Sequence, residues 1–381
     1  MLNQVQNDAN TTLMPNACQN RPPAVLIYAL RITCYVLRNK QTCYNIFMPK
    51  VRMAINGFGR IGRQAFKIAM QNKKIDVVAI NDLTDNETLA HLLKYDSVYG
   101  RYDKKVSFDK HHLVVGGKKI PVYEQPLPRR LPWRRHKVDV VIESTGRFVK
   151  DGAARDHVKA GAAAVVLSAP AKGSGKIPTY LRGVNDKDYE GEKLISNASC
   201  TTNCIAPVMA VMESAFGIEK SLMTMVHGYT ADQRLQDAPH RDLRRSRAAA
   251  LNIIPTSTGA AIATTEVMPQ LEGKFDGIAI RVPVAVGSLS DFCIVTKKDV
   301  TEIQVKNAFK KAAKNPIYKG VLEVTEDEIV STDIIGNPAS SIVDLGFVRV
   351  VGGNLVKILA WYDNEYGYAN RLVEMVERVA K

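Results

Sequence analysis

Between residues 51 and 168 short apolar runs alternate with stretches of helical period. Residues 51–56 read as a near-continuous apolar strand, 63–71 as a helix, 75–81 as a second strand and 86–95 as a second helix. A turn-rich, strand-like stretch runs to about Glu124, and a Pro-rich loop covers 125–137. Two further apolar strands, 138–143 and 163–168, flank a helical stretch at 151–160. Apolar strands alternating with helices predict a parallel sheet covered on both faces. In such sheets ligands bind beyond the carboxyl ends of the strands, where Thr145-Gly146 and Ser168-Ala169-Pro170 lie.

The texture changes after residue 200. A short strand at 193–196 leads into a helical pattern over 201–216. Residues 221–229, 275–284, 289–297, 341–347 and 355–362 then read as strands, separated by long loops and helical stretches at 259–270 and 301–313. This predicts a mainly antiparallel sheet in an α+β domain. A last helical pattern covers 365–380, and no internal repeat is visible.

Gly57-Phe58-Gly59-Arg60-Ile61-Gly62 joins the first strand to the first helix. G-x-G-x-x-G in that setting is the dinucleotide fingerprint. Gly57 allows the tight turn, Gly59 lets pyrophosphate approach the backbone, and Gly62 lets helix and strand pack closely. Asp82 ends the second strand, at the spacing of a carboxylate that hydrogen-bonds a ribose 2′-hydroxyl and repels a 2′-phosphate. The first domain therefore reads as an α/β Rossmann-type unit that takes NAD in preference to NADP.

Composition bounds this picture. The chain has 381 residues, 46% hydrophobic and 24% charged, enough for two or three domains. The net charge of +14 favours anionic ligands and permits loose nucleic-acid binding. The arginines of the 125–137 loop have no interleaved aromatic residues for base stacking, so no specific nucleic-acid partner is expected. Six cysteines in this length are no disulfide scaffold and point to a reduced, cytoplasmic setting. The apolar run Ala24 to Leu30 is too short to span a membrane. Residues 1–47 differ from the rest: rich in Asn and Gln, with Cys18, Cys34 and Cys43. They read as an extension ahead of the protein proper rather than as a targeting segment.

The chemistry gathers at Ser199-Cys200-Thr201-Thr202. A cysteine at a helix N-terminus meets unpaired N–H groups and the positive dipole end, which lower a thiol's pKa. Cys200 is then either a buried inert thiol or an activated nucleophile. His227 closes a strand and is either structural or the base that draws the thiol proton. Cys204, one helical turn on, reads as packing, and no metal site is expected. Thr256-Ser257-Thr258-Gly259 leads into a helix, a setting that binds anions. Arg281 sits in an otherwise apolar strand and calls for an anionic partner. Two anion sites near one thiol suggest a phosphorylated substrate and a second phosphate.

The motifs Ala54 to Gly62, Ser168-Ala169-Pro170-Ala171-Lys172-Gly173, Ser196 to Asn203, Pro255 to Ala261, Arg281-Val282-Pro283 and Trp361-Tyr362-Asp363-Asn364-Glu365 occur in this order. On them the chain from about Met48 resembles phosphorylating glyceraldehyde-3-phosphate dehydrogenases. The resemblance implies Cys200 as nucleophile and His227 as its base. It implies Ser199, Thr201, Thr230, Arg245, Thr258, Gly259 and Arg281 around glyceraldehyde 3-phosphate and inorganic phosphate. Arg60, Ile61, Asp82, Ser168 and Asn364 would hold NAD with the three glycines, with Tyr368 near the nicotinamide; Gln125 and Thr145 complete that set. The implied division is an NAD-binding domain at 48–199, a catalytic domain at 200–363 and a helix at 364–381 returning to the first domain, in a homotetramer. Ile262 departs from the family, standing where Lys is frequent beside the phosphate turn. Gln125 replaces a frequent Arg, which a backbone contact to adenine would tolerate. Erythrose-4-phosphate dehydrogenase, a non-phosphorylating aldehyde dehydrogenase and a non-catalytic NAD- or nucleic-acid-binding relative are the rival readings.

Overall fold

The computed structural model describes residues 49–175 and 177–380. The extension expected at 1–47 lies outside the described residues. In chain order the first half holds β1 (Val51–Asn56), α1 (Arg60–Ala69), β2 (Ile75–Asn81), α2 (Asn86–Lys94) and a short hairpin of β3 (Tyr95–Asp96) and β4 (Gly100–Arg101). It continues with β5 (Val106–Asp109), β6 (His112–Val115), β7 (Lys118–Tyr123), β8 (Val140–Glu143), α3 (Asp156–Lys159), β9 (Ala164–Leu167) and β10 (Leu194–Ser196). Eight of these strands form one sheet in the order β10-β9-β8-β1-β2-β7-β6-β5. From β10 to β7 every pairing is parallel. β6 and β5 add an antiparallel edge. All four residues of β8 and of β9 are buried, as strands covered on both faces must be.

Two helices of the first half differ clearly from their predicted bounds. α1 begins at Arg60 rather than residue 63, because Gly59 takes the extended N-cap position and Gly62 lies inside the helix. Gly62 is a poor helix former and hides the true start. The stretch 151–160 is a 3₁₀ turn at Ala153–Arg155 and a single α turn, entered through Gly152 at φ 73°.

The second half supplies α4 (Cys200–Phe216), β11 (Ile218–Gly228), β12 (Ile254–Thr256), α5 (Ala260–Val267), β13 (Phe275–Val282), β14 (Ser288–Thr296), α6 (Glu302–Ala313), β15 (Leu322–Thr325), β16 (Ser341–Val351), β17 (Leu355–Tyr362) and α7 (Tyr366–Val379). Seven strands pair in the order β12-β13-β11-β14-β17-β16-β15. Four pairings are antiparallel and two parallel. α5 stops before Met268, the residue preceding Pro269, where the α conformation is disfavoured.

α4 and α5 pack on one face of this sheet in a core with Met225, Phe292, Ile358 and Tyr362. α7 returns to pack on α1, burying Leu372, Val373 and Val376 in the core of the first sheet. Cys200 touches both cores. The functional residues therefore gather where the two sheets meet. No described helix is long and apolar enough to cross a membrane.

Candidate active site

The turn ahead of α4 fixes the thiol. Ala198 adopts φ 50°, unusual for a residue with a Cβ. Three contacts hold it there. Its N–H donates to Ser196 Oγ at 3.0 Å, its carbonyl accepts the Tyr368 hydroxyl at 2.9 Å, and buried Asn197 donates to the Tyr180 carbonyl at 2.8 Å. Ser199 then caps the helix, accepting from Thr202 N–H at 3.1 Å. Cys200 thus begins α4 with its sulfur at the cavity. Tyr368, read from the resemblance as a neighbour of nicotinamide, also braces this turn from α7.

Strand register supplies the partners. β11 and β13 run parallel with His227 opposite Arg281. His227 Nε2 lies 3.6 Å from Cys200 Sγ, and Nδ1 lies 2.6 Å from the Gly228 carbonyl. A carbonyl only accepts, so Nδ1 carries the hydrogen and Nε2 turns its lone pair to the sulfur. Arg281 Nη1 donates to Thr230 Oγ1 at 3.0 Å and to the Gly228 carbonyl at 3.2 Å; it also lies 3.2 Å from His227 Nδ1, but these two oxygens take both of its hydrogens. Thr201 Oγ1 lies 3.1 Å from the Tyr362 hydroxyl.

The expectation that the helix terminus alone lowers the thiol's pKa is corrected here. Burial raises the Cys200 thiol, and the Thr201 hydroxyl, the Arg281 charge and the N–H groups of Thr201 and Cys200 pull against it. Cys200 nevertheless keeps a part-exposed surface, through which a reactant can reach it. Burial, and then the Arg281 charge, hold the imidazole down to about 3. What favours ionisation is the pair. Moving one proton from Sγ to Nε2 creates opposite charges 3.6 Å apart. Their attraction, about 5 kcal/mol at an effective dielectric of about 20, offsets part of what burial costs the two charges. The two groups titrate together, not singly.

The anion-binding side is drawn together by loops. Thr258, Gly259, Thr230 and Arg281 line the same cavity as Cys200, about 830 Å³ in volume. Arg245 stands behind its wall, donating to Thr256 Oγ1 at 3.0 Å and to Asp232 at 2.5 Å. Asp232 also accepts from the Thr230 hydroxyl. No local pattern marks this carboxylate, because Arg245, the charge it pairs with, lies thirteen residues further along the same irregular segment. The departure at Ile262 falls elsewhere. Its side chain is 68% exposed and lines a separate groove with Leu222 and Leu355.

Arg60, Ile61, Ser168, Asn364 and Tyr368 line the cavity on the side of the first sheet. Asn364 Oδ1 accepts from Gly287 N–H at 3.1 Å and Ser288 Oγ at 2.9 Å, which fixes its amide plane. The Arg60 side chain is not free for phosphate. It pairs with Glu365 and Asp96 and lies 5.7 Å from the centre of the Tyr99 ring. Ser144 joins this cavity to a second one lined by Gly57, Gly59, Asp82, Gln125 and Thr145.

The backbone around that second cavity has the features of a dinucleotide cradle. A Cβ on Gly59 would meet nothing within 4 Å, so the backbone there faces open space. Gly57 has φ 93°, and its Cβ would come within 2.7 Å of Thr145 N. A Cβ on Gly62 would sit 2.1 Å from the Gly57 carbonyl oxygen. Asp82 is fixed beside this turn, accepting from Phe58 N–H at 2.6 Å and Thr84 N–H at 3.0 Å. The first-turn N–H groups of α1 give the cradle its affinity for pyrophosphate. Among the described residues no cluster of His, Cys, Asp and Glu could hold a metal ion.

Comparison with known proteins agrees with this geometry. Residues 51–151 match the family model for the glyceraldehyde 3-phosphate dehydrogenase NAD binding domain. Residues 199–364 match the model for the C-terminal domain of the same family. The chain is 52% identical over 338 residues to the glyceraldehyde-3-phosphate dehydrogenase of Borreliella burgdorferi, covering 87% of this chain and 100% of that one. It is 52% identical over 328 residues to that of Streptomyces coelicolor, with 85% and 97% covered. It is 50% identical over 333 residues to glyceraldehyde-3-phosphate dehydrogenase 2 of Bacillus subtilis, with 87% and 97% covered. With both domain models matched in order, and relatives matched over nearly their whole length, this chain belongs to the glyceraldehyde 3-phosphate dehydrogenase family.

Proposed function

We propose that the chain oxidises glyceraldehyde 3-phosphate to 1,3-bisphosphoglycerate, using NAD and inorganic phosphate, with Cys200 as nucleophile and His227 as base. The observation that carries this reading is the 3.6 Å approach of Cys200 Sγ to an imidazole whose Nδ1 hydrogen is already committed to the Gly228 carbonyl. His227 takes the thiol proton as sulfur adds to the aldehyde carbon. The Cys200 N–H at the start of α4 and the imidazolium stabilise the new oxyanion. NAD, held by the Gly57–Gly62 cradle, Asp82 and the Asn364 amide, supplies the hydride acceptor. The product on the protein is a Cys200 thioester, which phosphate attacks at the acyl carbon, expelling the thiolate. Arg281, Thr230, Arg245 and Thr258-Gly259 hold the phosphate groups. Asp232 pairs with Arg245 and so tempers the positive charge of the site.

NADH formation from glyceraldehyde 3-phosphate, followed at 340 nm with and without inorganic phosphate, tests this. Sustained turnover should require phosphate. Equal rates without it would favour the non-phosphorylating reading, and preference for erythrose 4-phosphate would favour that relative.

The chain is proposed to act as a cytoplasmic homotetramer, without a specific nucleic-acid partner. It divides into an NAD-binding part at 48–199, a catalytic part at 200–363 and the returning helix. Exposed apolar side chains support the assembly. Leu235, Leu243, Leu251 and Ile253 project from the 229–253 segment, and Leu222, Ile278 and Phe347 from the outer face of the second sheet. Apolar area on this scale marks an interface. Sedimentation equilibrium should give four times the chain mass; a monomer would refute the assembly.

A further inference from the structure

Beneath the dinucleotide cradle lies a polar network that the proposed chemistry does not use. Trp133, Glu143 and His157 are each at most 1% exposed, from a loop, the end of β8 and α3. The Trp133 indole N–H donates to His157 Nδ1 at 2.8 Å. Indole only donates, so Nδ1 carries a lone pair and Nε2 carries the hydrogen. Nε2 donates in turn to Glu143 Oε2 at 2.9 Å, and the Asn56 amide donates to the same oxygen. The other oxygen, Oε1, accepts the Thr145 N–H at 2.8 Å and the Thr145 hydroxyl at 2.5 Å. Four donors thus converge on one buried carboxylate.

The network also runs sideways across the sheet. Asn56 Oδ1 accepts from Asn81 Nδ2 at 2.6 Å. Asn81 then clamps the Gln125 backbone at both ends, donating to its carbonyl at 3.0 Å and accepting from its N–H at 2.9 Å. Buried polar groups are tolerated only when paired, and none of these six side chains has an unpartnered buried atom. An apolar core would hold strands together at less risk. The placement indicates what the polar version adds. Each end of the network terminates on a backbone segment lining the cavity that holds Asp82, Thr145 at one end and Gln125 at the other.

We propose that Glu143 and His157 are positioning residues for the dinucleotide: through this buried network they set the backbone of Thr145 and Gln125 in the wall that takes its adenosine half. The inference rests on the dinucleotide reading of the cradle. Without the Glu143 acceptor Thr145 loses its anchor, and only the Ser144 contacts to the Asn56 and Gly57 carbonyls hold this segment against the cradle.

Glu143→Gln tests it with little change of volume. Whichever way the amide turns, an NH₂ group faces either the two Thr145 donors or the His157 and Asn56 donors. The dissociation constants of NAD and of ADP-ribose, measured calorimetrically on the full chain, should rise about ten- to a hundredfold, the scale on which losing an orienting partner weakens a site. The KM for NAD should rise in proportion, while kcat at saturation falls far less and the rate of Cys200 alkylation stays unchanged. His157→Phe, which keeps the ring but removes both nitrogens, should act in the same direction and carries the test if the first variant does not fold. Folded variants that bind both ligands as tightly as wild type, even at a lower Tm, would overturn the proposal. Wild-type protein that bound neither would overturn the dinucleotide reading, and this inference with it.

Discussion

Replacing Cys200 with Ser is expected to remove dehydrogenase activity by at least about 10⁴-fold, the scale reached when a covalent nucleophile is deleted. A serine hydroxyl is far less acidic than a thiol, and an imidazole held down to about 3 is a weak base for it. The scaffold should survive. Ser is close in size to Cys, and the turn is held by Ala198, Asn197 and Ser199 contacts that do not involve the sulfur. NAD affinity, measured by calorimetry, should stay within about threefold of wild type, since the cradle is built on the first sheet. Turnover near the wild-type rate would refute the nucleophile assignment.

His227→Asn is expected to slow turnover by about 10²- to 10⁴-fold, the usual worth of a positioned base. A structural His would give a different signature, so the pH profile of Cys200 alkylation decides the matter. In the wild type, attraction to the imidazolium lets the thiolate appear at lower pH than burial alone would allow. In the variant the burial shift is opposed only by the Arg281 charge, the Thr201 hydroxyl and the backbone N–H groups. The inflection should therefore move upward, toward or above the ordinary thiol value of about 8.5. Alkylation at pH 7 should fall at least tenfold. An unchanged profile would show that His227 does not share the proton. The imidazole sits beneath Tyr362, ring centres 6.1 Å apart, so Asn also leaves a small void, and Tm should be recorded alongside.

Much of the first sheet was legible because its signals are local. Strands buried on both faces are apolar throughout, and Gly57, Gly59 and Gly62 mark the turn where backbone must pass close to backbone. The errors were local too. The pattern places the start of α1 late because glycine inside a helix looks like its boundary, and residues 151–160 carry a helical period too short to become a full helix. Cys200 was recognisable from its hydroxyl neighbours at a helix start, whereas its electrostatics were not. The dipole favours the thiolate, burial opposes it, and the balance depends on groups more than twenty residues away.

The amino-acid order by itself determined the strand–helix alternation, the glycine cradle, the acid at Asp82 and the cysteine at the start of α4, since each follows from contacts within a few neighbours. Only the tertiary structure decided that β11 and β13 pair with His227 opposite Arg281, that Asp232 meets Arg245, and that Glu143, His157 and Trp133 close a network under the cradle. It also turned Ile262 away from the anion pocket. The reason is physical. Register, burial and hydrogen-bond partners at long separation are set by how whole elements pack, and no periodicity along the chain encodes which buried polar atom will face which.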